Sequence, residues 1–383
     1  MSQIDNKRIY LDNAATTPLL PEVEDAMRQA PWGNPSSIHS WGVESMQALE
    51  DARCRLSSIV GCHPCELFFT SGGTEANNWI LKGYAWKHRQ EGLHIVTTRI
   101  EHDCVLNACR WLENQGFEVT YLDVDAQGML DPQELAAAVR NDTILVSIIQ
   151  GNNEMGAIQD LDAISRICRE HDVPLHIDAC QSFTKIGIDT SLVDMMTINA
   201  HKIHGPKGVG AVYIRKGLML DPLLHGGGQE NRKRSGTQNV PAAVGFAKAA
   251  ELSSKADWHR VAILRDMLIE GILTRIHGSK LNGPVGMHRL PNNVNISFSR
   301  VEGESIIEML NLKGVAASTG SACSSKSLEA SHVLTAMGRD AEAAHGSVRL
   351  TLSPATTEEE IAYVLEILPD IVARLAAISP LPA

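Results

Sequence analysis

Lys202 has the most distinctive chemical setting in this sequence. It follows the largely apolar run 193–198 and precedes the glycine-rich stretch 204–210. At the buried end of a strand an ammonium ion loses hydration, so its pKa falls and the neutral amine can form a Schiff base with an aldehyde. A surface lysine in a loop would give the same pattern, and for Lys202 alone that is the commoner explanation. The interpretation therefore depends on the residues that accompany it.

Two further segments carry groups that suit the aldehyde pyridoxal 5'-phosphate (PLP). The strand pattern 175–177 leads to Asp178, and an aspartate facing the pyridine nitrogen keeps it protonated, which makes the ring an electron sink. Segment 70–74, a Thr-Ser-Gly-Gly-Thr turn before a helical pattern, offers backbone N–H groups and a helix dipole to a phosphate. It is neither a P-loop nor a dinucleotide fingerprint. Alone, Asp178 fits a solvated strand-end carboxylate or helix cap equally well. With Lys202, the three supply a phosphate anchor, a ring-nitrogen partner and an amine.

Short motifs spread over nearly the whole sequence extend this pattern. In chain order they are Tyr-Leu-Asp-Asn-Ala-Ala-Thr-Thr-Pro (10–18), Phe-Thr-Ser-Gly-Gly-Thr-Glu (69–75), Glu-His (101–102), Asn-Asn-Glu (152–154), His-Lys (201–202), Arg-Ser-Gly-Thr (234–237), Ser-Thr-Gly-Ser-Ala-Cys (318–323) and Thr-Thr-Glu-Glu-Glu-Ile (356–361). Together they resemble the cysteine desulfurases of the NifS/IscS group. That group lies within the class V aminotransferase branch of the fold type I PLP enzymes.

The motif that ends at Cys323 selects among the reactions of this family. Small and polar residues dominate 317–327, which predicts an exposed loop. A free thiol has a pKa of about 8.5, so it is partly thiolate near neutral pH, and on such a loop it can travel between cofactor and acceptor. Without the resemblance, a passive surface cysteine is the simpler interpretation. With it, Cys323 is the nucleophile.

The resemblance implies an L-cysteine desulfurase that releases L-alanine. Lys202 binds PLP and then removes the Cα proton of L-cysteine, with Asp178 opposite the ring nitrogen. Cys323 takes the substrate sulfur as a persulfide and passes it to a protein acceptor. The sequence does not identify that acceptor, because iron–sulfur scaffold assembly, nitrogenase supply, tRNA thiolation and DNA phosphorothioation all draw on similar enzymes. The end at Ala383, without a longer tail, favours a dedicated role resembling the nitrogen-fixation type.

Other site residues carry over by resemblance alone. His102 resembles the histidine that stacks on the pyridine ring and shuttles protons. Asn153 and Gln181 resemble amides that hydrogen-bond the cofactor O3', and Asn153 also contacts substrate. Arg349 resembles the arginine that clamps the substrate carboxylate, although an arginine in a strand could equally keep an edge strand soluble. Each of the other three would otherwise be an ordinary polar surface or loop residue.

The phosphate site shows one departure from the family. The resemblance places cofactor ligands at Gly73, Thr74, Asn199 and His201 of the same chain. It adds Thr237 of the partner subunit, which implies a homodimer. The family usually has Ser-Gly before His-Lys, whereas this chain has Asn199 and Ala200. Asparagine offers an amide N–H in place of the serine hydroxyl, so the departure concerns PLP affinity more than reaction type.

Two alternatives to the desulfurase remain open. Selenocysteine lyase, or another PLP reaction such as an aminotransferase, would use the same scaffold. A non-catalytic binding or scaffold protein of a sulfur pathway would fit Asn199-Ala200 as a sign of decayed cofactor binding. A metal site is a minority hypothesis, because Cys62 and Cys65 have the Cys-x-x-Cys spacing but lack a second pair nearby. We expect them in an incidental loop, and Cys180 to be a small packing residue.

The elements that position these residues alternate along the chain. Strand patterns at 67–70, 94–98, 119–122, 144–149, 175–178, 195–198 and 210–214 are mostly separated by helical segments, one of them at 43–59. This predicts a mainly parallel seven-stranded sheet between helices, with ligands at the carboxyl ends of its strands. A long helical stretch from about 241 to 277 precedes a smaller α/β pattern, with strands at 293–298, 315–318 and 348–352.

The resemblance adds domain boundaries. It implies a large PLP-binding domain at 14–257, and a small domain formed by 1–13 and 258–383 that carries Cys323. Composition agrees with a large globular enzyme, since 44% of the 383 residues are hydrophobic. The net charge of −11 argues against direct nucleic-acid binding, and no apolar run reaches membrane-spanning length. The first eight residues lack a signal-peptide pattern, so we expect a cytoplasmic protein.

Overall fold

The structure, a computed structural model, describes residues 8–320 and 330–379. Within these residues the strands are β1 (Ile9–Tyr10), β2 (Leu67–Thr70), β3 (His94–Thr98), β4 (Glu118–Leu122), β5 (Thr143–Ile149), β6 (Leu175–Asp178), β7 (Met195–Asn199), β8 (Gly210–Ile214), β9 (Ser279–Leu281), β10 (Asn293–Phe298), β11 (Val315–Ala316) and β12 (Ser347–Thr351). The α-helices are α1 (Pro21–Gln29), α2 (Ser40–Val60), α3 (Gly73–Asn78), α4 (Tyr84–His88), α5 (Asp103–Glu113), α6 (Pro132–Ala138), α7 (Leu161–Glu170), α8 (Val240–Ser254), α9 (Trp258–Arg275), α10 (Gly303–Leu312), α11 (His332–Ala336), α12 (Ala341–His345) and α13 (Glu358–Ile378). A π-helical turn joins α3 to α4.

A seven-stranded sheet organises the larger part of the chain, in the order β2-β8-β7-β6-β5-β3-β4. Strands β3 to β7 pair in parallel, and β8 runs antiparallel to both of its neighbours. The predicted mainly parallel sheet is confirmed. Each of the seven strands predicted for it is found to within one residue at either end. Runs of apolar residues made these strands recognisable, because a sheet covered on both faces buries every side chain.

Helices cover both faces of this sheet, so neighbouring residues of one strand enter different cores. In β2, Phe69 packs into a core with α2, α7 and α8, whereas Phe68 packs into a second core with α3, α4 and α5. The alternation follows from the period of two in a strand. Because β3 to β7 run in parallel, their carboxyl ends all lie at one edge of the sheet. Asp178 ends β6 and Asn199 ends β7 at this edge.

The smaller part has its own sheet and core. Strand β10 lies between β9 and β12 in an antiparallel sheet, and β1 pairs in parallel with β11. Side chains of α9, α10 and α13 pack on these strands together with Ile9 and Leu11 from the beginning of the chain. The smaller α/β unit is thus confirmed, although the strand predicted at 315–318 ends at Ala316.

The single long helical stretch predicted from about 241 to 277 is wrong in one respect. It consists of two helices, α8 and α9, which belong to different cores. Asp257 ends the continuity, since its side chain accepts the Arg260 N–H at 2.9 Å and caps the start of α9. Among the described residues, no helix combines the length and apolarity needed to cross a membrane.

Candidate active site

A cavity of about 490 Å³ lies at the carboxyl edge of the large sheet. It brings together residues that are up to 335 positions apart, from Ala14 to Arg349. The site residues expected from the sequence that line it are Gly73, Thr74, His102, Asn153, Asp178, Gln181, Asn199, His201, Lys202 and Arg349. The convergence follows from the parallel strands, which bring their carboxyl ends to one edge of the sheet.

Asp178 is held rigidly at the end of β6. Its side chain is buried, with Oδ2 accepting a hydrogen bond from Asn77 Nδ2 at 2.7 Å and Oδ1 accepting the Cys180 N–H at 2.9 Å. Both oxygens are therefore oriented by the protein before any ligand binds. Asn77 was not predicted as a site residue. The signal that could have revealed it is a polar residue on the buried face of the helix that follows the glycine turn.

The glycine turn makes room for a ligand next to β7. A Cβ added to Gly73 would lie 2.7 Å from Cys180 Sγ and 3.4 Å from Asn199 Nδ2, so a side chain there would fill the cradle. Asn199 is buried, and its Oδ1 has no hydrogen-bond partner. A buried amide with an unsatisfied atom is costly, and a ligand in the cavity would relieve that cost.

Lys202 reaches the cavity from the turn after β7. Its Nζ donates to the carbonyl oxygens of Ala14 and Ala15, the latter at 3.0 Å. Gln181 is anchored to the same segment, because its Nε2 donates to Ala14 O at 2.9 Å. The Oε1 of Gln181 accepts from Lys185 Nζ at 3.3 Å, and burial lowers the pKa of the Lys185 amine to about 7. The orientation of the Gln181 amide is thereby fixed by both neighbours.

His102 and His201, two of the three histidines in the lining of this cavity, are oriented by hydrogen bonds. His102 caps α5, and its Nδ1 accepts the Cys104 N–H at 3.1 Å, which assigns the proton of the neutral ring to Nε2. His201 Nδ1 lies 3.3 Å from Thr16 Oγ1. Burial, followed by the nearby lysine charges, lowers the pKa of His201 to about 4, so this ring is neutral at physiological pH.

Arg349 is a buried site residue and not a solubility device of an edge strand. It is 2% exposed, and its Nη2 lies 3.1 Å from Asp12 Oδ1. Its Nη1 donates to the carbonyl oxygens of Asn153 at 2.9 Å and Gly320 at 3.1 Å. The Nε atom is buried without a partner. This donor suits a carboxylate ligand, which a guanidinium binds in a planar, two-bond geometry.

Two thiols border the cavity beside Asp178. Burial raises the pKa of Cys104 to about 12, and burial also raises the pKa of Cys180 well above its usual range. Both are therefore protonated near neutral pH and are poor nucleophiles. Cys180 lies against Gly73, so the prediction that it fills space is compatible with its position.

Glu101 is a fully buried carboxyl in the cavity wall. Thr98 Oγ1 and the Ile149 N–H donate to its Oε1 at 2.7 and 2.8 Å, while Oε2 has no partner. Burial, reinforced by the charge of Asp178, raises the pKa of Glu101 from 4.5 to about 8. The group is therefore a neutral acid at pH 7, with its proton on Oε2.

Replacing Glu101 with glutamine is expected to flatten the dependence of stability on pH. Between about pH 4.5 and pH 8 the folded protein holds a proton on Glu101 that the unfolded chain has lost, so wild-type stability falls as pH rises, by up to about 1.4 kcal/mol per pH unit. Glutamine has no such proton. Denaturant unfolding at about pH 6 and about pH 8 measures the difference, with the exposed Glu134→Gln as control. Parallel pH dependences of the Glu101→Gln variant and the wild type would contradict the assignment.

One predicted site residue lies apart from this cavity, and another falls outside the described residues. Thr237 is exposed and is not in the cavity wall of its own chain. Cys323 lies outside the described residues, which stop at Gly320 and resume at Ala330, and both of these residues line the cavity. The pair Cys62 and Cys65 follows the end of α2, where Cys65 Sγ lies 3.0 Å from His63 Nδ1. Over 8–320 and 330–379, no group of three or more His, Cys, Asp or Glu residues is arranged to bind a metal ion.

Comparison with known proteins identifies the family. Residues 9–364 match the aminotransferase class-V family. The chain belongs to this family. It is 49% identical over 385 residues to the cysteine desulfurase IscS of Methanosarcina thermophila, an alignment that covers 98% of this chain and 95% of that protein. A NifS-like protein of known structure superposes with a TM-score of 0.90 at 39% identity, covering 96% of this chain and 100% of that chain.

A second similar structure has been solved with an amino acid bound. The structure of SspA in complex with cysteine superposes with a TM-score of 0.81 at 35% identity, covering 91% of this chain and 100% of that chain. The resemblance to the NifS/IscS cysteine desulfurases and the fold type I architecture, both predicted from the motifs, are confirmed. The cofactor of class-V aminotransferases is PLP, as predicted for this chain.

The cavity of this class-V aminotransferase fits PLP on structural grounds. Its wall contains a lysine amine, a buried aspartate that is already oriented, and a glycine cradle beside the Nδ2 amide nitrogen of Asn199. These are a covalent attachment point, a partner for a protonated pyridine nitrogen, and space for a phosphate next to an N–H donor. Asn199, the departure from the family pattern, lies in this cradle, so it is compatible with cofactor binding.

Proposed function

We propose that this chain is an L-cysteine desulfurase that converts L-cysteine to L-alanine and transfers the sulfur to Cys323 as a persulfide. The observation that carries the proposal is the single cavity that joins the Lys202 amine, the oriented Asp178 carboxylate and the buried Arg349 guanidinium. These groups can bind an α-amino acid and ionise its Cα–H bond. The close similarity to the cysteine desulfurase IscS and to cysteine-bound SspA supports cysteine as that amino acid.

The side chains divide the early part of the reaction among them. Bound PLP supplies an electron sink that stabilises negative charge at the substrate Cα. Asp178 holds the ring nitrogen in its protonated form, and Arg349 with its unpartnered Nε binds the substrate carboxylate. Lys202 Nζ accepts the Cα proton. His102 presents its Nε2–H to the cavity and, in our proposal, orients the ring by stacking.

Further ligands complete the proposed cofactor site. Gly73, Thr74, Asn199 and His201 would hold the phosphate of PLP, while Asn153 and Gln181 would hydrogen-bond its ring oxygen. The fixed orientation of the Gln181 amide between Ala14 and Lys185 supports its part in this proposal. Asn153 is half-buried beside Arg349, which supports contact with substrate as well.

Sulfur transfer needs no external oxidant. The Cys323 thiolate attacks the substrate sulfur, and an S–S bond forms while the Cβ–S bond breaks. The electron pair of the broken bond stays with the carbon fragment, which gains protons and leaves as alanine. The protonated thiols Cys104 and Cys180 do not compete for the sulfur, because burial keeps their pKa values high.

A homodimer with shared sites is part of the proposal. Thr237 cannot complete the site of its own chain from its exposed position outside the cavity wall, and Thr237 of the partner subunit would supply the last phosphate ligand. We further propose the domain division at 14–257, with 1–13 joining 258–383. It is supported by the packing of Ile9, Leu11 and α9 in one core and of α8 in another.

The setting of the enzyme is also proposed. A cytoplasmic location is supported by the described cysteines, which are all free thiols, as is usual in a reducing compartment. The proposed persulfide acceptor is a protein thiol, and the similarity of this chain to relatives named cysteine desulfurase IscS favours iron–sulfur cluster assembly. Transfer of labelled persulfide from the enzyme to purified candidate acceptors, resolved on non-reducing gels, identifies the acceptor.

The proposed activity is tested with the purified protein, PLP and L-cysteine. Alanine and reducible sulfur are expected in equal amounts, and L-cysteine should be consumed several-fold or more faster than L-alanine is racemised or transaminated. Parallel assays with L-selenocysteine discriminate the lyase alternative. A protein that binds PLP but forms no alanine from L-cysteine would overturn the proposal, and one that binds no PLP would indicate a non-catalytic role.

A further inference from the structure

Glu154 is a buried carboxylate to which the mechanism above gives no role. It is 3% exposed and lines the cavity on the side of Arg349. Its backbone is fixed from both structural units. The Glu154 N–H donates to Asn152 Oδ1 at 2.8 Å, and its carbonyl accepts from Asn293 Nδ2 at 3.0 Å and Asn295 Nδ2 at 3.1 Å. The side chain therefore projects from an immobile point.

The Glu154 carboxylate holds Ser331, which lies eight residues after Cys323 in the sequence. Ser331 Oγ donates to Glu154 Oε2 at 2.5 Å, and the same hydroxyl accepts the Leu334 N–H at 3.2 Å as the cap of α11. The next residue, His332, places its Nε2 3.0 Å from the carbonyl oxygen of Glu101. Ser331 thus connects a helix start to a fixed carboxylate in the cavity wall.

The same carboxylate also contacts Gly320, which lies three residues before Cys323 in the sequence. A Cβ added to Gly320 would lie 2.6 Å from Glu154 Oε2, so the glycine backbone lies directly against that oxygen. Arg349 holds the Gly320 carbonyl from the other side at 3.1 Å, and Ser318 bridges the backbone of Arg349. One oxygen of Glu154 therefore touches both Gly320 and Ser331.

We infer that Glu154 is a positioning residue for sulfur transfer, because it contacts the chain on both sides of Cys323, at Gly320 and at Ser331. The inference rests on the proposed function. Gly320 and Ser331 are 11 residues apart in sequence, so their separation and direction restrict where a thiol three residues after Gly320 can reach. An error of about 1 Å in the position of a reacting group can cost about 100-fold in rate.

Glu154 does not orient the groups that ionise the Cα–H bond. Asp178 is oriented by Asn77 and Cys180, and Lys202 contacts Ala14 and Ala15. None of these contacts involves Glu154. Loss of the carboxylate is therefore expected to slow persulfide formation while PLP binding and Cα–H exchange continue.

The test uses Glu154→Ala and Glu154→Gln in the PLP-loaded enzyme. Single-turnover persulfide formation from L-cysteine should fall about 10- to 100-fold in the alanine variant and less in the glutamine variant, whose amide oxygen still accepts from Ser331. Two readouts should stay within about two-fold of wild type. They are the apparent affinity for PLP, followed by its visible absorption, and the exchange of the Cα proton of L-alanine with deuterium from solvent.

Ser331 provides the matched pair of variants. Ser331→Ala should reproduce the selective slowing, and Ser331→Thr, which keeps the hydroxyl, should restore the wild-type rate. Asp340→Ala is the control for loss of a helix cap, because exposed Asp340 caps the neighbouring α12 through Ala343 without contacting Glu154. It should leave persulfide formation unchanged. The double variant Glu154→Ala/Ser331→Ala should be no slower than the slower single variant.

Two outcomes would overturn the inference. Equal losses of Cα–H exchange and persulfide formation would mean that Glu154 only supports the fold of the cavity, and an unchanged persulfide rate in Glu154→Ala would mean that it positions nothing. Failure of the proposed function itself is distinguishable, because the wild-type enzyme would then form no persulfide at all.

Discussion

The Lys202→Ala variant is expected to lose cysteine desulfurisation by about a thousand-fold or more. A positioned general base contributes up to about four orders of magnitude, and the same amine is the proposed covalent attachment point of PLP. No other described lysine lines the cavity and could substitute for Lys202. Lys185 donates a hydrogen bond to Gln181 and is not part of the lining. Alanine formation from L-cysteine measures the loss. Borohydride reduction followed by peptide mass analysis should find PLP on Lys202 in the wild type and none in the variant.

Lys207→Ala is the matched control for this experiment. Lys207 is exposed, five residues further along the same glycine-rich stretch, and carries the same charge. It should retain wild-type turnover and covalent PLP. A Lys202→Ala variant that still desulfurises L-cysteine at a comparable rate would remove Lys202 from the mechanism, whatever the cofactor content of the protein.

Cys323→Ser is expected to separate the two halves of the reaction. A serine hydroxyl is far less nucleophilic toward sulfur than a thiolate and forms no persulfide, so production of alanine and sulfide should fall about 100-fold or more. Because Lys202, Asp178 and Arg349 are unchanged, the visible absorption of bound PLP and the Cα–H exchange of L-alanine should remain near wild type.

Cys54→Ser controls for the loss of an exposed thiol. Cys54 lies on the surface of α2, away from the cavity lining, and its replacement should change neither product yield nor persulfide content. Full desulfurase activity in Cys323→Ser would make the persulfide route untenable and would direct attention to direct release of sulfide from the substrate.

The sequence predicted the site where local pattern determines position. Apolar strands that end in Asp178 and Asn199, and a glycine turn after β2, must meet at one edge of a mainly parallel sheet, because crossover connections leave the strands that they join pointing the same way. The convergence of these residues with Lys202 thus follows from periodicity and topology. Most of the seven-stranded sheet could be derived in the same manner.

What the sequence could not predict are contacts between side chains from remote elements. The bond from Asn77 to Asp178 joins α3 to β6, and the bond from Ser331 to Glu154 crosses between the two structural units. No local spacing encodes such pairs. The burial of Arg349 was similarly hidden, because one arginine in a short strand has the same pattern whether it faces solvent or a ligand.

The beginning of the chain links the core of the smaller unit to the reactive lysine of the larger one. Ile9 and Leu11 are packed in the smaller unit, whereas a few residues later the carbonyls of Ala14 and Ala15 hold the Lys202 amine. A rotation of one unit against the other would therefore pull directly on the acceptors of the reactive nitrogen. Any displacement of the small unit would thus reach the Lys202 amine through a tether only a few peptide bonds long.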